Sequence, residues 1–89
     1  MGSLLIVTGP PGSGKSTISR LLADNMQRSV LVEGDLFFAF LAAGAIAPWL
    51  PESMEQNHVV GDAAAAATKQ FMADYDTIYD GVIGPWQLD

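Results

Sequence analysis

Residues 9–17 read Gly9-Pro10-Pro11-Gly12-Ser13-Gly14-Lys15-Ser16-Thr17. They fit G-x-x-x-x-G-K-[ST], the pattern of a phosphate-cradling loop. Glycines let such a backbone turn so that successive N–H groups point inward at phosphate oxygens. The mechanism needs a strand before the loop and a helix after it, and the flanks predict both. Leu4-Leu5-Ile6-Val7-Thr8 is a short apolar run stopped by the Gly-Pro cluster, as a strand entering a loop is. Beyond Gly14 the period changes, with Ile18, Leu21, Leu22 and Met26 recurring at three- and four-residue steps, as one face of a helix does. A chance match in so short a chain is roughly a few in a thousand.

The chemistry expected of the loop follows from its residue types. Gly9, Gly12, Ser13, Gly14, Lys15, Ser16 and Thr17 are the candidate nucleotide-phosphate ligands. Lys15 would reach the β- and γ-phosphates, and the Ser16 hydroxyl would ligate Mg²⁺. The helix start adds its partial positive charge.

Working outward, Val30-Leu31-Val32 predicts a second strand ending at Glu33-Gly34-Asp35. Asp35 then caps a short helix through Leu36-Phe37-Phe38-Ala39-Phe40-Leu41 that ends near Gly44. Pro48-Trp49-Leu50-Pro51 reads as a loop, and Ser53 with Gln56 as a capping box opening a long helix. Val60, Ala64, Ala67, Phe71 and Tyr75 can line one face of that helix, and the Ala63 to Ala67 run is good helix former. Thr77 to Ile83 predicts a third strand with a polar break at Asp80, ended by Gly84-Pro85. Strands alternating with helices predict an α/β fold with a parallel sheet flanked by helices.

Ligands of such sheets gather at the carboxyl ends of the strands. Asp35 would lie near the γ-phosphate if its strand neighbours the first, where a carboxylate accepts or orients the proton of an attacking hydroxyl; the alternative is a plain helix cap. Asp80 is a polar residue in an apolar strand, which is costly unless it is used. It would hold Mg²⁺ directly or through water, or else bond the following turn. Phe37, Phe38 and Phe40 either wall an acceptor pocket or pack under the next helix. Trp49 and Trp86, each beside a proline, read as loop anchors or lids. His58 reads as a surface residue, Glu33 as support for Asp35, and Arg20 and Arg28 receive no catalytic assignment.

Composition narrows the function classes. The 89 residues carry a net charge of −6 and no cysteine, with 49% apolar and 16% charged residues. A chain this apolar buries a core rather than staying disordered. Four basic against ten acidic residues disfavour a nucleic-acid groove. The missing cysteines remove disulfides, thiolate catalysis and cysteine-held zinc. No apolar run approaches the ~20 residues of a membrane span. The run Leu4-Leu5-Ile6-Val7 is four residues long with no Lys or Arg before it, so no signal peptide is expected, and Ile6 stands where the myristoylation pattern wants Ser or Thr. The expected compartment is the cytoplasm, with no membrane or nucleic-acid partner.

GPPGSGKST at 9–17, VEGD at 32–35 and YDGVIGPW at 79–86 resemble the spacing in chloramphenicol phosphotransferase-like proteins, within the nucleotide and small-molecule P-loop kinases. Gluconate, adenylylsulfate and zeta-toxin kinases are more distant parallels. The resemblance implies a P-loop NTPase fold using ATP and Mg²⁺. It makes Asp35 the base toward the acceptor hydroxyl, and Lys15, Ser16 and Asp80 the phosphate lysine, magnesium hydroxyl and strand-three acid. Adenylate kinases carry D-G-F-P-R at the third strand, whereas Asp80-Gly81-Val82-Ile83-Gly84 has no arginine. A neutral hydroxylated acceptor is therefore expected rather than a nucleoside monophosphate.

Such kinases also resemble one another in a five-stranded order 2-3-1-4-5 with an arginine-bearing lid. Residues 1–89 are accordingly expected to be the N-terminal part of a single P-loop kinase domain, truncated after the third strand, from a protein of roughly 160–200 residues. Strand one would then be an open edge inviting self-association. The expected function is γ-phosphate transfer to a small-molecule hydroxyl; the alternative is a nucleotide-binding module or regulatory P-loop ATPase without such an acceptor.

Overall fold

In the computed structural model, residues 2–8 and 14–81 are described. Strands β1 (Leu4–Val7), β2 (Ser29–Glu33) and β3 (Asp76–Asp80) form one sheet in the order β1-β3-β2. Both pairings are parallel. Parallel neighbours require crossover connections. Helix α1 (Lys15–Asp24) makes the first, and a 3₁₀ helix (Gly34–Phe40) followed by α2 (Met54–Met72) makes the second. Val7 and Glu33 both stand opposite Asp80, so the three carboxyl ends finish level. β3 separates β1 from β2, as the 2-3-1 order of the resemblance implied. No helix among the described residues is long and apolar enough to cross a membrane.

The core sits where α2 meets the sheet. Val32, Ala64 and Tyr79 are buried together, with Leu4, Val30 and Phe37 packed around them. Strand alternation places Tyr79 on that face, while Ile78 and Asp80 point to the side of α1.

The helices bury only part of the faces that hydropathy predicts. α1 buries Ser19 and Ala23 and leaves Ile18 and Leu21 exposed. α2 buries Val60, Ala64, Ala65 and Thr68, while Phe71 is exposed and Tyr75 lies beyond the helix under Arg28. Burial of the two hydroxyls follows from local bonding. Ser19 Oγ donates to Lys15 O at 2.9 Å, and Thr68 Oγ1 to Ala64 O at 2.8 Å. Each satisfies itself within its own helix, so it enters the interior as a small, effectively apolar residue.

Two predicted caps are absent. Asp35 lies inside the 3₁₀ helix, which starts from Glu33 with no side-chain cap. Ser53 precedes α2 but donates to Pro48 O at 2.8 Å and Leu50 O at 2.7 Å instead. Gln56 also turns away: Ile46 N–H donates to its Oε1 at 2.7 Å, and its Nε2 donates to Ile46 O at 2.8 Å. Both side chains thus bind the 46–50 loop to the start of α2. Trp49 is 82% exposed and anchors nothing in that loop. Asp80 ends β3 rather than interrupting it; the continuation expected to Ile83, and Trp86, lie outside the described residues.

Candidate functional site

The level strand ends set out the site. Gly14, with φ +84, starts α1 in the left-handed region that favours glycine. No side-chain cap and no acidic residue occupies the first turn, so the N–H groups at the helix start are left for an anion. Lys15 opens α1 and reaches across to the end of β3, where Nζ donates to Asp80 Oδ1 at 2.8 Å. The Asp80 side chain is 4% exposed and that of Lys15 16%.

A small cavity of about 150 Å³ at this point is lined by Lys15, Ser16, Glu33, Asp35, Leu36 and Asp80. Asp35 joins Lys15 although β1 and β2 are not neighbours, because the 3₁₀ turn after Glu33 carries it back over the end of β3. Three carboxylates therefore surround one ammonium. The hydrogen bond it donates to Asp80, with the charges of Asp80, Asp35 and Glu33, raises the Lys15 pKa above its ordinary value against the opposing effect of burial. Lys15 is cationic at any physiological pH. A polyphosphate placed here would meet a surplus of negative charge, which the helix start and a divalent cation would offset.

The residues fit Mg²⁺ in that role. Ser16 offers a hydroxyl and Asp80 a carboxylate beside the phosphate-binding helix start, and Mg²⁺ characteristically takes one or two protein oxygens together with phosphates and waters.

A larger cleft of about 490 Å³ opens on the other side of Asp35, between the 3₁₀ helix and α2. Asp35, Phe38, Asn57, His58, Gly61 and Tyr79 are among its walls. No lysine or arginine lines it among the described residues. The three phenylalanines divide their work. Phe37 packs on the core, Phe38 faces the cleft, and Phe40 is 76% exposed with its ring edge-on to Phe37. His58 is exposed and pairs with Asp62 at 3.5 Å along α2. Arg20 pairs with Asp24 on the outer side of α1.

Tyr79 and Gly34 are the site residues that sequence reasoning missed. A Cβ on Gly34 would run into the Tyr79 hydroxyl and lie 3.4 Å from Asp80 O, so a side chain there would press on Tyr79 where the chain passes from β2 into the Asp35 turn. Burial, then the charges of Asp35 and Asp80, push the Tyr79 phenol pKa up and keep it protonated. The one available signal was a glycine between two acids, which marks a close backbone approach. Of the predicted phosphate ligands, Gly14, Lys15, Ser16 and Thr17 cluster at the start of α1, while Gly9, Gly12 and Ser13 lie outside the described residues.

An α/β sheet of this order, with a G-K-S helix start facing a strand-three aspartate, defines a P-loop protein. The chain belongs to the AAA_17 family of AAA domains, whose profile matches residues 8–87. Its relatives lie in the nucleotide kinase-like group. A 34-residue segment is 38% identical to the cytidylate kinase of Sulfurisphaera tokodaii, covering 38% of this chain and 19% of that enzyme. A 34-residue segment is 47% identical to the cytidylate kinase of Halobacterium salinarum, covering 38% and 18%. A chain in the solved structure of a Pnkp1/Rnl/Hen1 complex superposes with a TM-score of 0.69 at 25% identity, over 89% of this chain and 26% of that one. The matches thus span under a fifth of each cytidylate kinase and about a quarter of the structural neighbour. None of them singles out the chloramphenicol phosphotransferase-like proteins.

Proposed function

We propose that this chain carries the phosphate site and the acceptor site of an ATP-dependent phosphotransferase acting on a small-molecule hydroxyl. The observation that carries the reading is the position of Asp35, which lines both the cavity around Lys15 and the larger cleft. A hydroxyl lying in the cleft would meet Asp35 on its way to a γ-phosphate held by Lys15. The Asp35 carboxylate takes the hydroxyl proton, the oxygen bonds to phosphorus, and the bond to the β-phosphate oxygen breaks to release ADP. Lys15 offsets the charge on the transferred group, and Mg²⁺, held by Ser16 and Asp80, would supply further charge neutralisation. Transfer of this kind rests on positioning and electrostatics more than on covalent chemistry by the protein.

The acceptor is uncharged. A phosphate-bearing acceptor would lie against Asp35 in a cleft whose described walls offer no lysine or arginine. The cytidylate kinase likeness supports nucleotide-type phosphotransfer chemistry, and the cleft favours a hydroxyl over a nucleotide phosphate as its target.

The test is the destination of labelled γ-phosphate, with and without added uncharged alcohols. Label on the alcohol, abolished by Lys15→Met, is the expected result. Release to water alone, unaffected by any alcohol, would replace this reading with that of a regulatory P-loop ATPase.

A further inference from the structure

α2 contains one residue that its own helix does not want. Gly61 lies mid-helix, just before the alanines at 63–67, although glycine is among the poorest residues for a helix interior. It is half-buried and lines the large cleft. Asn57, Gly61 and Ala64 follow one another at steps of four and three, so they share a side of α2, and all three line the cleft with Phe38 and Tyr79. Asn57 is fixed there, because Nδ2 donates to Pro48 O at 2.9 Å and Ser53 Oγ at 3.0 Å. Among these three lining residues, Gly61 is the one that brings no side chain to the cleft.

We propose that Gly61 determines acceptor specificity. Its missing side chain is the space in which the body of an uncharged hydroxyl compound lies against Phe38 and Tyr79 while the hydroxyl reaches Asp35. This inference rests on the phosphotransferase reading above and adds to it the feature that sets acceptor width. The class of acceptor that follows is a compound with a flat or ring-shaped body, since an open-chain triol would not need the room.

The test uses Gly61→Ala, Gly61→Val and, as a control for bulk on the exposed side of α2, Ala66→Val. The acceptors are open-chain glycerol and three ring-bearing compounds of increasing size: an aromatic diol, a free hexose and a nucleoside. Gly61→Ala should raise Tm by roughly 3–8 °C, because the helix gains where the glycine gave nothing to folding. ATP affinity should stay within about twofold of the unsubstituted protein, since the substitution lies away from the Lys15 cavity. For the ring-bearing acceptors kcat/KM should fall roughly tenfold or more, mainly through KM and further for Val than for Ala. Glycerol should lose less than about threefold, and Ala66→Val, which costs the helix a little Tm through β-branching, should change neither ATP affinity nor kcat/KM for any acceptor.

A lowered Tm in Gly61→Ala would show that the glycine serves packing and overturn the proposal. So would equal losses at every acceptor width, no loss at any, or transfer confined to glycerol in the unsubstituted protein. If that protein transfers phosphate to none of the four, the phosphotransferase reading fails first and takes this one with it. Transfer that is indifferent to residue 61 removes the specificity role alone.

Discussion

Lys15 Nζ donates to Asp80 Oδ1 at 2.8 Å, so the first residue of α1 and the last residue of β3 hold each other across the site. The pair is not simply a stabilising contact. Asp80 is the more buried partner, and a buried carboxylate left without its cation is more costly than the pair is favourable. Lys15→Met is therefore expected to destabilise the protein by roughly 2–3 kcal/mol, below the fully buried range because the lysine end reaches solvent. Adding Asp80→Asn should restore part of that loss. Chemical denaturation of the two single variants and the double variant checks it, with an expected coupling of about 1–3 kcal/mol. Strict additivity would mean that the two side chains act independently.

Asp35 makes no capping hydrogen bond, so its removal should leave folding nearly untouched. Asp35→Asn keeps the shape and removes the base. The expected loss in turnover is 10²-fold or more, on the order typical of a general base, with ATP Kd within about threefold. Steady-state transfer rates beside a direct ATP titration separate the two effects.

The contact of Gly34 with Tyr79 predicts a steric penalty. Tyr79 is buried, so its hydroxyl cannot swing aside for a Cβ placed against it. Gly34→Ala should lower stability by roughly 1–3 kcal/mol, the range for overpacking a filled interior. Combining it with Tyr79→Phe should recover part of the loss, since the closest atom is then gone. Thermal unfolding of the single and double variants reads this directly.

At the opposite end of the sheet, Asp76 ties β1 to β3. Ser3 N–H donates to Asp76 Oδ1 at 3.0 Å and Ser3 Oγ donates to the same oxygen at 2.9 Å. The backbone bond, then the hydroxyl bond, hold the Asp76 pKa below its ordinary value. A carboxylate with a lowered folded-state pKa contributes stability that is present in full above the unfolded value of about 3.9 and disappears as pH falls through the folded one. The Tm difference between the unsubstituted protein and Asp76→Ala should thus be constant near about pH 6 and shrink below about pH 4. A difference that grows on acidification would contradict the assignment.

What could be read from the chain depended on whether a residue announces its use by type. The G-K-S-T turn did, because its glycines and lysine have one dominant physical use, and the strand-end rule then located Asp35 and Asp80. The faces of the helices did not. Ser19 and Thr68 count as polar in any hydropathy pattern, yet each bonds its own helix and goes inside. Ser53 and Gln56 have the right types for a capping box, and nothing local reveals that backbone groups of the preceding loop outcompete the helix for them. Tyr79, an aromatic residue in an apolar strand, reads as core; that its hydroxyl lies over Gly34 depends on a neighbour 45 positions away.

The pairing of Gln56 with both polar groups of Ile46 has a mechanical consequence. Through it, and through Ser53 and Asn57, the stretch from Ile46 to Leu50 travels with α2 as one piece. The proline-flanked Trp49, where a sequence suggests give, is not where the chain can bend. Residues 42–45 enter none of the described hydrogen bonds, and Gly44 there has φ +75. A change in the distance between the 3₁₀ helix and α2 would have to be absorbed in those few residues. Were the two walls beside Asp35 to part, these residues would be the hinge.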